Sequence, residues 1–170
     1  MGLFSSTEFT SLDDLLVEQL RDLYDAETRL VDALPKMVEA AASPDLKTAF
    51  RNHLAETKQQ VKRLEQAFEM LGATVKAETC EAMKGLLKEG DKVISGSGDP
   101  HVRDAALIAA AQRVEHYEMA GYGSARNFAE RVGRADVARL LQQTLDEEGN
   151  ADKKLTQIAD SSVNLRAANA

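Results

Sequence analysis

Four long stretches of this chain repeat apolar residues at alternating spacings of three and four, and each is bounded by helix-capping residues. Ser11 opens the first, with Asp14 three residues on in a capping-box position. The pattern predicts a helix from Ser11 to about Ala42, which Pro35 is expected to bend. Ser43-Pro44-Asp45 reads as cap, first-turn proline and dipole-complementing acid, and it opens a second helix that runs to Leu71 before Gly72. Asp99-Pro100 repeats the signal for a third long helix ending at Val132 before Gly133, and a fourth follows over 135–160. Between Gly72 and Asp99 a short helix over 79–94 and the turn Ser95-Gly96-Ser97-Gly98 make a long connection. With no β-branched alternation between them, two helical hairpins joined by a crossover describe an all-α four-helix bundle. The expected division is a flexible N-terminus over 1–10, one bundle over 11–164 and a short tail over 165–170.

The inward stripes carry acids where a bundle core should be apolar. The first helix reads Leu16, Leu20, Leu23, Glu27, Leu30, Leu34, Met37, and the fourth Leu141, Leu145, Glu148, Asp152, Leu155, Ala159. The third reads Ile108, Ala111, Glu115, Glu118, Tyr122, Ala125, Ala129, Val132. The second gives Leu46, Phe50, His53, then Glu56 or Thr57, Gln60, Leu64, Ala67, Leu71, and spacing does not choose between Glu56 and Thr57. Each interruption lies roughly 20 Å from its helix start at about 1.5 Å per residue, so in an antiparallel bundle they meet at one level.

Six carboxylates and a histidine in an apolar interior would cost several kcal/mol per ion, about the penalty for an unpaired buried charge, unless cations sit among them. No Lys or Arg stands on any of the four stripes. Two metal ions satisfy the demand, because carboxylates bridge cations and imidazole completes a coordination sphere. The candidate ligands are Glu27, His53, Glu56, Glu115, Glu118, Glu148 and Asp152, with Tyr24, Tyr122 and His116 behind them. The alternatives are that any single mid-helix glutamate is a solvated surface residue, that His53 is a core histidine satisfied by hydrogen bonds, that Asp152 makes a surface contact, and that the tyrosines only pack.

The chain has 28 Asp and Glu against 21 Lys and Arg, a net charge of −7. That balance disfavours nucleic acid as a partner, and neither terminus is basic. Removing the six candidate acids leaves 22 against 21, so most of the surplus reads as an internal demand for cations. The lone Cys80 permits neither an intrachain disulfide nor a thiolate cage, which fits a reducing cytoplasm. Neither a signal peptide nor an apolar run of about eighteen residues is present, so membrane spanning is not expected. Met1-Gly2-Leu3-Phe4-Ser5-Ser6 fits the loose myristoylation pattern, and is read as part of the flexible terminus.

Asp22-Leu-Tyr-Asp-Ala-Glu27, Ala33-Leu-Pro-Lys-Met37, Phe50-Arg-Asn-His-Leu-Ala-Glu-Thr57, Arg63-Leu-Glu-Gln-Ala-Phe68, Val114-Glu-His-Tyr-Glu118 and Leu145-Asp-Glu-Glu148 with Asp152 resemble the ferritin-like YciE/YciF stress proteins of bacteria. The resemblance covers Ser11 to Asn164. It implies a ferritin-like four-helix bundle, a dinuclear metal motif in the core and a homodimer. Ferritin-like di-iron proteins take one Glu from each of two helices and Glu-x-x-His from the others. Glu27 and Glu56 match the first and second helices. This chain departs elsewhere: Gln59 follows Glu56 while the histidine precedes it, the third helix carries Glu115-x-x-Glu118, and the fourth offers Glu148 and Asp152 with no histidine. An oxygen-rich shell suits hard ions, Fe or Mn over Cu or Zn. The expected function is therefore a stress-associated di-metal protein acting on peroxide or oxygen. The competing expectation is a helical structural or partner-binding protein whose metals only stabilise the fold.

Overall fold

The computed structural model describes residues 10–170, and the myristoylation pattern and most of the predicted flexible terminus lie outside the described residues. The described residues form helices and no strand. They comprise α1 (Leu12–Ala40), α2 (Pro44–Met70), α3 (Glu81–Ile94), α4 (Pro100–Arg131), α5 (Ala135–Ile158), a π-helical segment (Ala159–Val163) and α6 (Asn164–Ala167). The helix pattern in the sequence thus reappears almost residue for residue, except that the fourth long helix continues past Asp160 through a π turn. Pro35 lies inside α1 without ending it.

The caps act as expected. Ser11 accepts the Asp14 amide, Ser43 the Leu46 amide and Asp99 the amides of His101 and Val102. Gly72 and Gly133, just past the ends of α2 and α4, have φ of 65° and 79°, the left-handed conformation glycine adopts most cheaply. One cap comes from far away in the chain. Asp104, buried on α4, accepts the amides of Ala42 (2.8 Å) and Ser43 (2.7 Å), so it ties the α1–α2 turn to the third long helix.

α1 packs on α2, α2 on α5, α5 on α4, and α4 back on α1, while α3 lies against α1 and α4. The enclosed core is split in two. Leu16, Leu20, Leu23, Leu64, Phe68 and Leu141 belong to one apolar cluster, and Leu30, Leu34, Leu46, Phe50, Ile108 and Leu155 to the other. Between them lies a layer of buried polar side chains from all four long helices: Glu27, His53, Thr57, Gln60, Glu115, Glu118, Thr144 and Glu148.

Helix glycines differ in what surrounds them. A Cβ on Gly121 would stand 2.8 Å from Leu23 Cδ2, inside the α1–α4 contact, whereas one on Gly123 would meet nothing within 4 Å. Gly121→Ala is therefore expected to destabilise by about 1–2 kcal/mol through overpacking, and Gly123→Ala to stabilise by about 0.5–1 kcal/mol through helix propensity. Urea denaturation of the two variants checks the opposite signs.

Candidate metal centre

Each long helix contributes to the polar layer at the midpoint of its buried stripe. His53, Glu115, Glu118 and Glu148 are all buried, and each offers a donor atom within 4.8 Å of those of the other three. Donors on opposite sides of an ion at about 2.1 Å lie about 4.2 Å apart, so the group needs to close by only a fraction of an ångström around a cation. His53 Nε2 stands 3.3 Å from Glu115 Oε1 and 3.9 Å from Glu148 Oε2. Glu27, also fully buried, accepts a hydrogen bond of 2.5 Å from Tyr122 through Oε1.

The remaining polar atoms are left bare. Among the described residues, nothing hydrogen-bonds to Glu27 Oε2, Glu115 Oε2, both oxygens of Glu118 and of Glu148, or either nitrogen of His53. Such groups ordinarily find partners, since an unmet buried acceptor costs about 1–3 kcal/mol and a charged one more. His53 is therefore not a core histidine satisfied by hydrogen bonds. The donor chemistry, four carboxylates and one imidazole, fits a hard cation, and the cluster could hold a metal ion.

Without a cation the electrostatics are unfavourable. Burial, and then the charges of Glu27, Glu148 and Glu115, hold the Glu118 carboxyl well above the usual range. Burial and the charge of Glu148 do the same to Glu115 and to Glu27, the latter eased by the Tyr122 hydrogen bond. Glu148 is raised by burial and partly relieved by His53. Burial, with Glu27 and Glu118 beside it, also pushes the Tyr122 phenol upwards, so it stays a hydrogen-bond donor.

The other expected site residues stand around this group. Thr57, not Glu56, takes the fully buried position on α2, and its hydroxyl donates to the His53 carbonyl. Glu56 lies on the flank with its side chain 48% exposed and its Oε2 3.7 Å from His53 Nδ1. Asp152 accepts a hydrogen bond from Gln112 and lies 3.4 Å from the Nε2 of exposed His116, at the rim rather than in the cluster. Tyr24 is turned away, donating to Glu65 and packing edge-on against Phe68.

Several further residues that the helix stripes do not single out take part. Thr144 rather than Leu145 faces inwards, because steps of three then four from Leu141 reach Glu148 as well as steps of four then three. Arg63 makes two hydrogen bonds to Glu147, at 2.7 and 2.6 Å, and one to Thr144. It thereby brings a positive charge close enough to ease Glu27, although its guanidinium is committed to another carboxylate. Gln60 donates to the same Glu147 and leaves its own buried carbonyl unpaired. On the α3 side, Tyr117 donates to Asp22 and sits 3.0 Å from the Cys80 thiol, which itself caps α3.

The sequence model of the family described as "Domain of unknown function (DUF892)" matches residues 11–168. The chain belongs to this family. It is 43% identical over 160 residues to Protein YciF of Escherichia coli K12, covering 94% of this chain and 96% of that one. The crystal structure of that E. coli stress protein superposes with a TM-score of 0.88, covering 92% of this chain and 99% of that chain. A YcfI structure from Rhodopseudomonas palustris gives the same score, coverage and 43% identity. The same fold appears in a Xanthomonas campestris protein, with a TM-score of 0.72 at 20% identity over 94% of this chain and 98% of that chain. No helix among the described residues is long and apolar enough to cross a membrane.

A carboxyl whose pKa is raised by folding contributes most below its unfolded value and loses that contribution as pH rises through its folded value. The metal-free protein should therefore lose thermal stability as pH rises above the ordinary carboxyl range, about 4.5, and Glu118→Gln should flatten the loss. Melting temperature against pH for both proteins checks this. A midpoint that rises over the same interval would contradict it.

Proposed function

We propose that the chain is a ferritin-like four-helix bundle holding two Fe or Mn ions in its central polar layer, and that it works as a stress-associated cytoplasmic homodimer acting on peroxide or dioxygen. The bare oxygens and nitrogens of Glu27, His53, Glu115, Glu118 and Glu148 between two apolar half-cores carry this reading. The relationship to an E. coli stress protein supports the stress association. His53, Glu115, Glu118 and Glu148 would hold one ion, and Glu27 with Glu118 and Glu148 the other.

Such a pair, when bound, would supply the two electrons, one from each ion, that reduction of peroxide to water requires. The chain's own contribution is positioning. Tyr122 fixes Glu27 by its hydrogen bond and leaves Oε2 free to coordinate. The two apolar clusters exclude water from the ends of the layer, which strengthens every charge interaction within it. The carboxyls, pushed up by burial, would release protons as cations replace them.

Protein isolated from cells should carry about two equivalents of Fe or Mn per chain, the number this reading assigns to the layer. The loaded protein should consume hydrogen peroxide, and Glu118→Ala should lose both the metal and the consumption. Tyr122→Phe should keep the fold and weaken metal binding by about 10-fold or more, as loss of a ligand's supporting hydrogen bond does. Loaded protein that leaves peroxide and oxygen untouched, with metal only raising its melting temperature, would replace the redox reading with a purely structural one.

A further inference from the structure

A cleft of about 1000 Å³ opens between the first half of α2 and the end of α5, and His53 and Glu115 form part of its lining. Its floor is apolar, with Phe50, Leu155 and Ile158. Exposed acids stand at three points along its wall: Asp45 in the first turn of α2, Glu56 one turn beyond His53, and Asp160 in the π-helical segment. Lys154 is the single lysine or arginine among the lining residues. Acids on a helix surface are by themselves unremarkable, and Asp45 also complements the α2 dipole. Here, however, they lead to two side chains at least nine-tenths buried whose bare atoms, His53 Nδ1 and Nε2 and Glu115 Oε2, have no hydrogen-bond partner among the described residues.

The dimensions suit an ion that arrives with its water. Six waters at about 30 Å³ each occupy about 180 Å³, well within the cleft. Away from it, the two apolar clusters close both ends of the polar layer and Gly121 lets α1 and α4 meet closely. Glu56 is the one carboxylate placed to work on both sides. Half in solvent, it can meet a hydrated cation, and 3.7 Å from His53 it can pass the cation inwards. Asp160 and Ser161 line the cleft from within the π turn, a distortion common at functional sites.

We propose that the α2–α5 cleft is the entry route for divalent cations, with Asp45 and Asp160 attracting the ion and Glu56 handing it to His53 and Glu115. This rests on the metal centre proposed above and adds to it the path and the carrier. The side chain that sequence spacing offered as a permanent ligand becomes a transfer group.

Full-length, metal-stripped protein mixed with Co(II) in a stopped-flow instrument reads both rate and extent of loading from the absorbance of the bound ion. Glu56→Gln should slow loading by about 10-fold while the final Co(II) per chain is unchanged. The exposed pair Asp45→Asn and Asp160→Asn should slow it by several-fold and flatten its dependence on salt, while Glu69→Gln with Glu89→Gln, far from the cleft, should not. Wild-type loading rates in the Glu56 variant, or equal effects from the cleft and distant pairs, would overturn the route. A lower final stoichiometry in Glu56→Gln would make Glu56 a permanent ligand and overturn the transfer role. Wild-type protein that binds no Co(II) would overturn the metal centre itself, and the route with it.

Discussion

Four carboxylates and an imidazole, lifted out of water with most of their polar atoms lacking a hydrogen-bond partner among the described residues, set the terms for the rest of this structure. Each desolvated charge costs several kcal/mol, on the order of a domain's whole margin of stability when summed. Protonation lowers that cost, and the upward-shifted carboxyls show the metal-free interior leaning that way. A cation lowers it further, because one ion answers several carboxylates at once. The apolar clusters on either side have a double role: they hold the four helices together, and they keep the dielectric low enough for the layer to demand charge neutralisation.

Much of this is legible in the amino-acid sequence. Glu27, Glu115, Glu118 and Glu148 stand out because apolar residues continue the stripe on both sides of them, so a shift of helix phase would displace the whole stripe and not the acid alone. The capping residues and the prolines at 44 and 100 fix where those stripes begin, and hence bring the acids to one height. The same pattern assigns six acids to the interior, and four of them, Glu27, Glu115, Glu118 and Glu148, are buried there, whereas Glu56 and Asp152 stay at the flank and the rim.

The rest depended on distances between helices. Glu56 and Thr57 are neighbours about 100° apart around α2, and only the contact of α2 with α5 decides that the threonine is inside. Thr144 and Leu145 pose the same ambiguity on α5. The Asp104 bonds to Ala42 and Ser43, and those of Arg63 to Thr144 and Glu147, link residues more than sixty positions apart, for which no local spacing carries a signal. Asp152 continues the α5 stripe by periodicity, yet Gln112 and His116 hold it at the rim. The π segment, which alters the helix phase after Ile158, has no marker comparable to a proline.

On the proposed reading, the polar layer exchanges protons for cations. Calorimetric titration of metal-free protein with Mn(II), repeated in buffers of different ionisation enthalpy, counts ions bound and protons released together. About two ions per chain at saturation with net release of protons are expected, because carboxyls whose pKa burial raises must ionise to coordinate. Binding without proton release, or binding undiminished in Glu118→Ala, would place the ions on the surface and contradict it.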